Sequence, residues 1–298
     1  MTHDQFAAFS AFRDKFRAQV AAWSADAGLM EALASLQKQA ADADGVPAYP
    51  LETPIVYNTA LDAITEDDDI RLIVIGDNPG KSEQLTTNRK YLVGQAGKIA
   101  EGFFRRNPEL GIDFRRNAII LNKTPLHTAK TRELAMFVDK PSSASKTLGA
   151  KQADIADKAG DDKQADAAYK AGGAAYDRSV VSAAPSAAQR IAALLDETQR
   201  FMARETAALQ KALDTPESPC AIWLVGYAEL KPRGLFTTYR DVLTDEYRTQ
   251  PESSLFVYQH FSMNCFTTDL KKHADPALSL AENLRIIGRK HRKEIFGF

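Results

Sequence analysis

Four short apolar runs set the strongest limit on what this chain can fold into: Leu72-Ile73-Val74-Ile75, Ala118-Ile119-Ile120-Leu121, Ala221-Ile222-Trp223-Leu224-Val225 and Leu255-Phe256-Val257-Tyr258. None alternates apolar with polar residues, so each suits a strand covered on both faces. Helical patterns separate the runs, and strand-helix-strand alternation favours a parallel sheet with right-handed crossovers. The expected class is therefore α/β, with a central four-stranded, mostly parallel sheet. In such sheets the residues that do chemistry lie just beyond the C-terminal ends of the strands.

The flanking segments read differently. Phe6, Phe9, Phe12, Phe16, Val20 and Trp23 recur every three or four residues and form one apolar helical stripe. A second helical pattern runs through Leu29, Met30, Leu33 and Leu36 until Asp44-Gly45-Val46-Pro47 breaks it. Residues 1 to 48 are expected to form an N-terminal helical extension, and 49 to 298 the α/β domain. Within that domain a tract from about Pro141 to Pro185, rich in Ala, Lys, Asp, Ser and Gly, has few large apolar residues to drive packing. It reads as a low-complexity insertion. Ser186 and Gln189 form a capping box that opens a firmer helix through Ile191, Leu194, Leu195, Thr198 and Met202.

Composition excludes several functions. No run of about 18 apolar residues exists to span a bilayer, and Met1-Thr2-His3-Asp4-Gln5 does not open an export signal. A cytoplasmic protein with no membrane partner is expected. The 2 cysteines, Cys220 and Cys265, cannot supply four thiolates to an iron-sulfur cluster or a structural zinc site. The formal net charge of −1 requires any nucleic-acid surface to be a local patch.

The first strand runs into Gly76-Asp77-Asn78-Pro79-Gly80-Lys81-Ser82, which has the glycine, lysine and serine of a phosphate loop. Only three residues separate Gly76 from Gly80-Lys81, where a Walker A loop has four, and Pro79 removes a backbone donor. The spacing argues against an NTPase. Asp77 and Asn78 suit either a tight Asx turn or the orientation of a water molecule. Beyond it, Arg89-Lys90-Tyr91-Leu92-Val93-Gly94-Gln95-Ala96-Gly97 lets backbone approach a flat ligand closely. The second strand ends at Asn122, whose amide donates and accepts at once and can read a pyrimidine edge, or sit as a satisfied buried amide. The fourth ends at Gln259-His260-Phe261-Ser262-Met263-Asn264.

Taken in order, strand-Gly-x-Asn-Pro-Gly, an aromatic/Val-Gly-x-Ala-Gly segment, Ile-Ile-Leu-Asn and strand-His-x-Ser resemble the uracil-DNA glycosylase superfamily, from about Leu72 to Asn264. The resemblance implies a three-layer α/β/α fold and a cluster-free enzyme, needing no metal or organic cofactor, that removes uracil or a related deaminated base from single- or double-stranded DNA. Gly76 to Gly80 is similar to the water-positioning motif, with Asp77 and Asn78 both candidates for the polar catalytic role and His260 for stabilising the leaving base. It implies base contacts from Gly76, Asn122 and one of Tyr91 or Leu92, and DNA contacts from Pro79, Gly80, Lys81, Ser262 and Met263. Phe261 stands where the family's His-Pro-Ser loop has proline, which leaves the DNA-inserting side chain open among Phe261, Met263 and Phe266. His127 is expected to be an exposed loop histidine, with a covalent role, as in a minority branch, as the alternative. A noncatalytic nucleic-acid or nucleotide-binding protein of the same fold is the competing function.

Overall fold

The computed structural model describes residues 1–138, 184–250 and 254–298. The insertion expected at 141 to 185 lies outside the described residues, except for its last two positions. The four apolar runs form β1 (Leu72–Gly76), β2 (Ala118–Asn122), β3 (Ala221–Val225) and β4 (Leu255–Tyr258). They make one sheet in the order β2-β1-β3-β4, and every pairing is parallel. Leu72 pairs with Ala118 and Ala221, and Val225 with Tyr258, so the C-terminal ends of the strands form one rim.

Period-two alternation divides the strand side chains between two hydrophobic layers. Ile73, Ile75, Ile119, Leu121, Ile222, Leu224, Leu255 and Val257 enter one cluster. Leu72, Val74, Ala118, Ile120, Trp223, Val225 and Tyr258 enter the other. On the first face lie α1 (His3–Trp23), α4 (Ala187–Leu213) and α5 (Thr237–Tyr247); α2 (Ala27–Ala43) packs against α4. On the second lie α3 (Gln95–Arg106), α6 (Cys265–His273) and α7 (Leu280–Phe296). Helices thus cover both sides of the sheet. Full burial of each large apolar side chain contributes roughly 1.5–3 kcal/mol, so the continuous apolar strands are what hold the layers together.

The aromatic stripe of α1 is buried as its spacing predicts, with Phe9, Phe12, Phe16, Val20 and Trp23 in the same cluster as the sheet. Phe16 lies 5.5 Å from Tyr57 and Trp23 packs edge-on to Phe201 at 5.3 Å. The Ser186–Gln189 capping box forms at the start of α4. Among the described residues no helix is long and apolar enough to cross a membrane.

Candidate functional site

A parallel sheet ordered β2-β1-β3-β4 has a switch point between β1 and β3, where successive connections leave in opposite directions and open a crevice. A cleft of about 790 Å³ lies there, lined by loops following all four strands, including Asp77, Asn122, Gly226 and His260. Its size is within the range of small-molecule sites. A smaller hollow of about 210 Å³ beside Asp69 and Asn117 sits at the opposite end of the sheet, away from these groups.

Asp77 does not stand alone. Its Oδ1 accepts a hydrogen bond of 2.5 Å from Nζ of Lys123, a side chain with no exposed surface. The same ammonium donates to the Val225 carbonyl at 2.5 Å and lies 5.0 Å from the centre of the Phe236 ring. Burial pushes the Lys123 pKa down, and the neighbouring Asp77 carboxylate opposes that shift. Gly226 makes the arrangement possible. Its backbone is left-handed at φ 91°, and a Cβ there would sit 2.2 Å from Asp77 Oδ1. No described residue hydrogen-bonds Asp77 Oδ2, and the residue borders the cleft.

Asn122 is 1% exposed, lines the cleft and carries a buried Nδ2 with no hydrogen-bond partner among the described residues. Leaving such a donor unpaired costs about 1–3 kcal/mol, and buried polar groups are seldom left so without a functional reason. Gly76 is needed because a Cβ would come 2.5 Å from Asn122 Oδ1. Asn78 is committed elsewhere. Its Nδ2 donates to Thr128 Oγ1 at 2.7 Å, tying the β1 loop to the β2 loop.

His260 borders the cleft, and its Nδ1 accepts from the Ser262 backbone N–H at 3.1 Å. An amide can only donate, so Nδ1 is the unprotonated nitrogen and the neutral ring carries its proton on Nε2. Burial pushes the His260 pKa down; Asp77 opposes the shift and Lys123 adds to it. The ring is thus a neutral donor at ordinary pH, and Nε2 has no partner among the described residues.

The remaining predicted positions separate into two groups. Leu92, Gly80, Lys81, Ser262 and Met263 line the cleft with Asp77 and Asn78. Tyr91 does not: it is 1% exposed and its hydroxyl donates to the Val56 carbonyl. Leu92, held at φ 51°, takes the position facing the cleft. Pro79 is buried too, its carbonyl occupied by the Thr128 N–H and by His127 Nδ1. Phe261 and Phe266 are buried against each other at 4.7 Å, so neither projects, whereas Met263 is 85% exposed.

His127 corrects an expectation. It is fully buried rather than exposed, with Nδ1 on the Pro79 carbonyl and Nε2 on the Tyr49 hydroxyl, both at 2.9 Å, and it lies outside the cleft lining. Desolvation brings its pKa down to about 4. A ring so engaged is a structural bridge between loops, not a placed nucleophile.

Two buried charged residues of the site were not marked by sequence reasoning. Lys123 is one, and Glu83 is the other. Glu83 is 7% exposed in the cleft wall, where backbone N–H groups of Gly80, Leu92, Val93 and Gly94 face its carboxylate. Desolvation outweighs those donors and raises its pKa to about 7. The native state then keeps a proton that the unfolded chain releases above 4.5. Its support for folding is complete below pH 4.5 and is lost as pH rises through about 7. Relative to wild type, Glu83→Gln should therefore gain up to about 3 kcal/mol between pH 4.5 and pH 8. Urea unfolding across that range measures it, and a difference independent of pH would show that Glu83 titrates as an ordinary carboxyl.

Fold and site together define an α/β protein with an all-parallel four-stranded sheet and a polar cleft at its topological switch point. Compared with family models, with curated proteins and with solved structures, the chain matches none.

Proposed function

We propose that this protein is a DNA glycosylase of the uracil-DNA glycosylase type, hydrolysing the N-glycosidic bond of uracil or a related deaminated base. One observation carries the reading: an unpartnered buried amide on Asn122, the Nε2–H of His260 and the free Oδ2 of Asp77 converge on one cleft. Asn122 Nδ2 donates to a base carbonyl, and Leu92 supplies an apolar surface for the ring. The base must leave the stack to reach these groups. Met263, exposed on a left-handed turn at φ 52°, would enter the vacated stack, and Lys81, which lines the cleft, would grip a phosphate.

In the reaction, the C1′–N bond breaks with its electron pair leaving on the base, while a water oxygen bonds to C1′. Asp77 Oδ2 orients that water and accepts one of its protons. The anionic base is stabilised by the neutral His260 donor, a preorganised dipole in a partly dry site, and is then protonated from solvent. Asn78, held by Thr128, contributes loop geometry rather than water activation.

The competing reading is a noncatalytic binder of nucleic acid or nucleotide. The Lys123 ammonium favours it, because the pair offers a developing sugar cation less negative charge than a lone carboxylate. Incubation with single- and double-stranded oligonucleotides bearing one uracil, xanthine or hypoxanthine, followed by alkali, decides between them. Cleavage at the modified position is expected. Intact strands for every base, with folded protein that still binds the oligonucleotides, would establish the binder.

A further inference from the structure

We infer that Lys123 is a positioning residue of this site: clamped by the Val225 and Gly76 carbonyls, it grips Asp77 through Oδ1 and leaves Oδ2 turned to the cleft. The inference rests on the reading of Asp77 as the group that orients water. The geometry supporting it involves three strands. Lys123 leaves the end of β2, its ammonium reaches the carbonyl ending β3 at 2.5 Å and that of Gly76, ending β1, at 3.4 Å. Its own backbone N–H donates to the carbonyls of Gly76 and Asp77 at 3.0 and 3.1 Å. A carboxylate bonded at one oxygen to so fixed a donor loses its rotational freedom about χ2.

Lys123 is absent from the cleft lining, so its route to the cleft is through the groups it touches, Asp77 first among them. Gly226 is the aperture for this contact, since any side chain would fall within 3.0 Å of both partners. The other charged or titratable groups set around the pair are Glu229, which acts on Lys123, and His260, which feels both. A buried ammonium needs a counter-charge in any case, but here the carboxylate that supplies it lies at the edge of the cleft. The choice of Asp77 as the ammonium's only acidic hydrogen-bond partner among the described residues points to the carboxylate as what is being placed.

Steady-state uracil release from an oligonucleotide is measured for wild type, Lys123→Met, Asp77→Asn and the double variant. Lys123→Met should lower kcat about 10- to 100-fold, as small misplacements of a reacting group do, with KM within about twofold. In the Asp77→Asn background the same lysine change should have no further effect, because the carboxylate it positions is gone. Should Lys123→Met not fold, Lys123→Gln, which keeps a polar head without the charge, carries the same readouts. Unchanged kcat in the lysine variant, or equal losses with and without the Asp77 carboxylate, overturns the positioning role. No release by folded wild type overturns the underlying base-excision reading instead, so the two failures are distinct.

Discussion

Asn122→Ala is expected to slow uracil release by about 100- to 1,000-fold while changing the free energy of unfolding by less than about 1 kcal/mol. The two halves of this result have the same source. In the free protein the Asn122 Nδ2 is buried without an acceptor among the described residues, so its removal relieves a desolvation cost that offsets most of the packing lost with the side chain. In the proposed complex that donor would meet the base carbonyl, and its loss would leave the carbonyl facing a dry gap. A residue that contributes little to folding yet much to turnover has the signature of a binding group kept at the expense of stability. Single-turnover kinetics and urea unfolding on one preparation test both halves. A large loss of stability with unchanged release would instead make the amide a structural element.

Gly97→Ala should lower stability by about 3 kcal/mol or more. The sign is opposite to intrinsic propensity, which favours Ala over Gly inside a helix by about 1 kcal/mol. Gly97 lies in the first turns of α3, and a Cβ would be placed 1.5 Å from the Leu92 carbonyl oxygen and 2.3 Å from its carbon. That backbone has little room to retreat. Leu92 is already left-handed, and its carbonyl accepts from the Arg115 guanidinium at 2.6 Å. Gly102 in the same helix is the control. Its Cβ would meet only the tip of Arg106 at 3.0 Å, a flexible group, so Gly102→Ala should be neutral or mildly stabilising. Thermal or urea unfolding of the pair isolates the steric effect, and equal behaviour of the two variants would refute it.

The strands were legible because both faces of the sheet are covered, which leaves four uninterrupted apolar runs with nothing polar to confuse them. The rim followed from the strands, which is why Asp77, Asn122 and His260 meet in one cleft although they are far apart in sequence. Lys123 was not legible. A lysine after a strand reads as solvated surface, and its burial depends on the Val225 carbonyl, 102 residues away, and on the missing side chain of Gly226. His127 escaped for a related reason, since its partners Tyr49 and Pro79 come from segments without periodicity. Phe261 stood open as a wedge because the motif alone does not show that an aromatic cluster with Phe266 and Phe103 waits beneath it. Tyr91 and Leu92 are adjacent residues of a non-repeating loop, and only the tight approach of α3 decides which of them faces outward.

The Asp77–Lys123–Val225 chain of contacts also governs how activity relates to folding. Its links span 46 and 102 residues, so they close only when distant parts of the chain meet. Closing such loops costs entropy that is recovered only when all three strand ends are in register. Partial structure therefore leaves the contact chain open, and the catalytic competence proposed for the cleft would be an all-or-none property of the completed sheet.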